Sequence, residues 1–146
     1  MKAKRITRIA LFGVALLLSG RALHAQDVMI VVNRGLSVSQ ITETELRDIF
    51  TGARSRFNDG SRAVPVLLKG GPVHEVFLHR HIGDNPEEFR IRWRKAVFTG
   101  QGAMPKEFST ENALLEYVET TPGAIGYVSR MQSDRAVKML TVTEAR

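Results

Sequence analysis

Five consecutive apolar residues, Val28-Met29-Ile30-Val31-Val32, constrain the fold more than any other stretch of the chain. A strand that is apolar on both faces needs both faces covered, so it belongs in the middle of a sheet with packed layers on either side. Asn33-Arg34-Gly35 ends the run, and a helix entry follows. Thr42 is the expected N-cap, and Glu45 three residues on completes a capping box. Ile41 and Leu46 take the staple positions. Leu46, Ile49 and Phe50 face inward, and Gly52 closes the helix as a left-handed cap.

The second strand and its exit form the next informative stretch. Val66, Leu67 and Leu68 follow Pro65, and Gly70-Gly71 breaks the run. Pro72 suits a first helical position, where its missing N–H costs little. Val73, Val76, Phe77 and Arg80 then recur at helical spacing to about Ile82. Such a junction aims unused backbone N–H groups and a helix dipole at one spot, which is how small anions are bound. It is equally an ordinary strand-to-helix connection, and the local residues leave both readings open.

Further elements follow in order. Asn85 caps a helix that starts at Pro86 and carries Phe89, Trp93, Ala96 and Val97 on one face. Its Arg90, Arg92, Arg94 and Lys95 cover too wide an arc for one stripe and read as a solvated face. Ser109 or Thr110 caps a helix through Glu119, with Leu114, Leu115 and Val118 as its apolar face. Thr121-Pro122-Gly123 is a tight turn, Ala124 to Val128 a strand, and Val137 to Val142 the last strand. The alternation at the start predicts an α/β fold, a mostly parallel or mixed sheet flanked by helices.

Charge has to be read without the N-terminus. Lys2, Lys4, Arg5 and Arg8 precede an apolar run of ten, Ile9 to Leu18, too short for an ordinary transmembrane helix. Residues 1–25 read as a signal peptide cut after Ala25, which leaves 26–146 as one exported, periplasmic domain. The whole chain holds 21 Lys+Arg and 15 Asp+Glu. Five of those bases precede the first acid, Asp27, so the mature chain is nearly neutral. The basic balance is therefore no argument for a nucleic-acid partner. There is no cysteine, so the exported domain holds itself by packing rather than disulfides.

No catalytic or metal constellation is expected. His74 lacks the second His at i+4 that a zinc-protease helix needs, and His79 and His81 fall on separate helix faces. All three are expected as exposed or half-buried structural residues. No Ser sits in a nucleophile elbow. Glu43, Glu45, Glu87 and Glu88 read as first-turn acids that complement helix dipoles. The chain reads as a non-enzyme without cofactor.

Several motifs together resemble the phosphate-binding proteins of bacterial ABC importers. They are Leu36 with Ile41-Thr42, Leu46 and Ile49-Phe50-Thr51-Gly52; the Phe57-Asn58-Asp59-Gly60 turn; Pro65-Val66; Trp93; and Phe98-Thr99-Gly100. The most specific is Thr121-Pro122-Gly123-Ala124-Ile125-Gly126-Tyr127-Val128. The resemblance spans about 28–142. It implies two α/β lobes joined by crossover strands, with phosphate in the cleft between them. This chain has about half the expected length. It resembles one domain of a type 2 periplasmic binding protein together with the crossover strands, here 28–32 and 127–128.

The resemblance also implies an anion site of the form Arg-x-x-Gly-Ser-Gly-Thr before a helix. Leu67 stands at the Arg position, Gly71 at Ser and Val73 at Thr, while Pro72 removes an N–H. The remaining candidates are Lys69, as a point charge, and the N–H groups of Gly70, Gly71 and Val73. Charged hydrogen bonds contribute about 1.5–3 kcal/mol each, so phosphate binding is expected to be weak or altered. The partners implied are a small oxyanion such as phosphate and an ABC permease or another periplasmic or membrane protein, while a second copy of the chain is a partner only if the lobe has lost its ligand. A ligand-free interaction module that kept the lobe is the alternative.

Overall fold

The computed structural model describes residues 27–144, so the expected signal peptide and the expected cut after Ala25 lie outside the described residues. The strands are β1 (Met29–Asn33), β2 (Gln40–Thr42), β3 (Val64–Leu68), β4 (Lys106–Phe108), β5 (Ala124–Val128) and β6 (Val137–Thr143). The helices are α1 (Glu43–Phe50), α2 (Pro72–Phe77), α3 (Pro86–Phe98) and α4 (Glu111–Thr120). The six strands form one mixed sheet in the order β2-β6-β1-β5-β3-β4. β1 lies antiparallel to both β5 and β6, whereas β3 runs parallel to β4 and β5.

The apolar run at 28–32 is thus a central strand, as its composition requires. Ile30, Val31 and Val32 are buried, and so is every residue of β5. The two strands expected to be crossovers are paired neighbours, with Val31 opposite Gly126. β2 and β4 were not legible in the sequence. Each is three residues long and sits at an edge of the sheet, where half of the backbone ladder is enough and no apolar alternation is demanded.

Helices cover both faces. Val66 and Gly126 face α4: a Cβ built on Gly126 would lie 2.7 Å from Leu114 and 3.1 Å from Val66. The glycine therefore sets how closely α4 seats on the sheet. Tyr127 points the other way, as strand alternation requires. There its ring stacks on Phe77 with centroids 3.8 Å apart, and Phe50 meets Phe77 edge-on at 4.8 Å.

The predicted caps are largely in place. Thr42 Oγ accepts from Glu45 N–H at 3.1 Å, and Thr110 Oγ from Ala113 N–H at 3.2 Å. Gly52 is left-handed after α1. The capping box at Thr42 is only half formed. The Glu45 carboxylate turns away to accept from Asn58 N–H at 2.7 Å and Asn58 Nδ2 at 2.5 Å. It is buried, and it ties the 57–60 turn to α1 rather than complementing the dipole. A complete capping box forms at Asn85 and Glu88 instead. The helix opened by Pro72 also differs from expectation: after Phe77 it widens into a π-helical turn, Leu78–Ile82, before Gly83 ends it.

Candidate functional site

The glycine turn leaves the C-terminal end of β3. Lys69 N–H is used by the sheet, donating to Phe108 O at 2.9 Å. Lys69, Gly70, Gly71 and Pro72 are all exposed. Gly71 has φ of 92°, a conformation that requires glycine, and it caps α2 without any side-chain acceptor. A Cβ built on Gly70 or Gly71 would meet nothing within 4 Å. Among the described residues, no backbone or side-chain oxygen accepts from the N–H groups of Gly70, Gly71 or Val73. Nor does an ion pair among those residues engage Lys69. The structure thus brings Lys69, Gly70 and Gly71 together on an open surface. The side chain of Val73 goes inward and is buried, leaving only its N–H at the turn. Leu67 is fully buried in β3.

Beneath the turn lies a buried polar network that the sequence reading missed. Tyr127 Oη accepts from Leu68 N–H at 3.0 Å, one residue before the turn, and meets His74 Nδ1 at 2.5 Å. Burial raises the Tyr127 phenol well above its usual range, so it stays protonated, and its hydroxyl shares one hydrogen bond with His74 Nδ1. Burial also lowers the His74 imidazole, with nearby Arg90 adding to the effect. The phenol thus fastens the end of β3 to the first turn of α2 and fixes the position of the glycines. Its place in the most specific motif of the chain was the available signal.

The histidines need correction in two cases. His74 and His81 are buried, not exposed or half-buried; only His79 is exposed. His81 Nδ1 faces both oxygens of Glu43 at 3.2 Å, so Glu43 links α1 to the π turn. The basic residues of α3 do form separate surface contacts: Arg92 pairs through two bonds of 2.9 Å with Asp84, and Arg90 with Glu87. Val97, expected on the inner face, is about half exposed.

The lowered His74 carries a pH dependence. Between its folded value and the ordinary 6.5, the folded protein binds fewer protons than the unfolded chain. Stability is therefore fully present above about 6.5 and is lost as pH falls through that window. His74→Gln is expected to flatten the fall in melting temperature between about pH 7 and pH 5. Thermal melts of both proteins across that range check this, and an unchanged slope would remove His74 as the source.

No family model matches the sequence. Solved structures do match the fold. A protein from Clostridium perfringens, assigned as a phosphate ABC transporter substrate-binding protein and solved with bound phosphate, aligns with a TM-score of 0.60 and 18% identity. The alignment covers 79% of this chain and 44% of that one. An ABC-type phosphate transport receptor from Vibrio cholerae aligns at TM-score 0.57 and 15% identity, covering 79% of this chain and 45% of its own. PstS from Borrelia burgdorferi gives the same TM-score and identity, with 46% of its length covered.

The fold is that of a single periplasmic-binding-protein lobe. Identities this low establish the fold and nothing finer. The chain spans less than half the length of each of these structures. The expected mixed sheet flanked by helices, in a one-lobe form, is therefore what the chain adopts. A two-lobed cleft would require surface that the described residues do not supply.

Proposed function

We propose that the chain is a periplasmic, non-enzymatic single-lobe module of the phosphate-uptake class, binding a small oxyanion weakly at Lys69, Gly70, Gly71 and Val73. The observation that carries this reading is the open turn itself. Two exposed glycines and a cation stand beside three unused N–H groups, on a lobe whose solved relatives are phosphate-transport proteins. The N–H groups and the ammonium favour an anion. The affinity is limited because a guanidinium and two hydroxyls are replaced by Leu67, Gly71 and Val73, at about 1.5–3 kcal/mol for each charged hydrogen bond. An ABC permease is the membrane partner that this class implies.

Calorimetry with phosphate and sulfate is the test. Saturable heat in the millimolar range is expected for the native chain, with Lys69→Ala abolishing it. No heat at millimolar anion would sink the reading.

A second reading, an interaction module, is favoured by one observation. The exposed side of α3 carries Phe98 at 92%, Ile91 at 53% and Val97 at 47%, and Met104 in the segment that follows the helix is 43% exposed. Apolar surface of this kind marks contact sites. Sedimentation velocity over a concentration series is expected to show self-association if a second copy covers that face. A strictly monomeric protein that also retains no periplasmic partner would count against it.

A further inference from the structure

The end of β3 opposite the glycine turn carries a groove that the proposed function does not use. β3 runs from Val64 to Leu68, so its start lies about 13 Å from its end at roughly 3.3 Å per residue. A cavity of about 320 Å³ opens at that start, between the 52–55 and 62–65 segments on one side and 101–106 on the other. This is the lower end of the range of small-molecule sites.

Its lining is one-sided in charge. Arg54, Arg62 and Lys106 border it, and no carboxylate does. Among the described residues, no ion pair engages Arg54 or Arg62. Lys106 Nζ lies 4.8 Å from the centre of the Tyr117 ring, within cation–π reach. The rest of the surface is mainly apolar, from Pro65, Met104 and Tyr117 to Trp93 beneath.

Trp93 is fixed in place. Its Nε1–H donates to Phe50 O at 3.0 Å. Gly52 and Gly102 lie against its ring, where added Cβ atoms would come within 2.8 and 3.4 Å. Two missing side chains thus make room for the indole under the groove. A flat apolar body can lie on this floor while its charge reaches the arginines at the rim.

We propose that this groove binds a small organic anion with a flat apolar body, of the aryl carboxylate class. Arg54 and Arg62 hold the carboxylate, and Met104, Tyr117 and Trp93 receive the ring. Guanidinium groups suit a carboxylate because they present paired donors. The inference does not depend on the oxyanion reading, since the two sites share no residue.

Trp93 is the single tryptophan of the chain, so its indole N–H gives one NMR cross-peak that reports on the groove. Phenylacetate, with about ten non-hydrogen atoms, is a fitting probe for this volume. A saturable shift of that peak is expected. Arg54→Ala and Arg62→Ala should each weaken binding at least about tenfold, the loss of a charged hydrogen bond. Arg54→Gln and Arg62→Gln replace either alanine variant that does not fold. The neutral amide, phenylacetamide, should bind at least about tenfold more weakly than phenylacetate.

No saturation by ~10 mM phenylacetate, a Kd too weak for a specific site, overturns the proposal. So does equal binding of the amide, or an equal shift with inorganic phosphate alone. A glutamate-rich peptide that shifts the peak while phenylacetate does not would also overturn it, in favour of protein docking.

Discussion

Gly123→Ala is expected to lower the unfolding free energy by at least about 3 kcal/mol, against a total of about 5–15 kcal/mol for a domain. Two costs combine. Gly123 has φ of 76°, where a Cβ is strained. That Cβ would also stand 2.1 Å from the carbonyl oxygen of Arg62. The obstacle is backbone, which cannot rotate aside. Gly123 O also accepts from Val64 N–H at 2.9 Å, starting the β3–β5 pairing, so relief of the clash would pull that register apart. Gly60 separates the two costs. It has φ of 86° with nothing within 4 Å of its added Cβ, so Gly60→Ala should cost about 1 kcal/mol from strain alone. Urea unfolding of both variants checks the difference, and equal losses would contradict this account of Gly123.

Leu67→Arg is expected to destabilise by about 3–5 kcal/mol without creating phosphate affinity. This change restores the residue type that the phosphate-binding pattern carries before its glycine turn. Leu67, however, is fully buried within β3. An arginine there would leave water for the interior of an apolar strand, where a charge without a partner is costly. Chemical denaturation and calorimetry on the same preparation give both readouts. A variant that keeps its stability and gains tight phosphate binding would show that position 67 still faces a ligand.

The parts of the fold that were legible in sequence are those whose signal is local. The run at 28–32 had to be central because both of its faces are apolar. Thr42, Gly52, Asn85 and Thr110 announced helix ends because caps depend on a few neighbouring residues. β2 and β4 escaped because three edge residues need no apolar pattern. Glu45 was misread because its carboxylate is claimed by Asn58, thirteen residues away, and no local rule reports that.

The candidate site divides in the same way. The glycine turn was visible as Gly70-Gly71-Pro72, but its support was not. Tyr127 reaches Leu68 and His74 across 59 and 53 residues of sequence. Its motif marked Tyr127 as informative without saying what the hydroxyl holds. Trp93 was legible as an inward residue of its helix, but the groove above it was not, since Gly52, Pro65 and Lys106 meet there only through tertiary structure.

We propose that the lobe carries an oxyanion-binding turn at Lys69, Gly70, Gly71 and Val73 while lacking most of the groups that make such a turn strong. One calorimetric series addresses it most directly: phosphate and sulfate titrated into the native protein and into Lys69→Ala. Weak, saturable, millimolar binding that disappears in Lys69→Ala is the predicted result. Tight binding, binding indifferent to Lys69, or no heat at millimolar anion would contradict it.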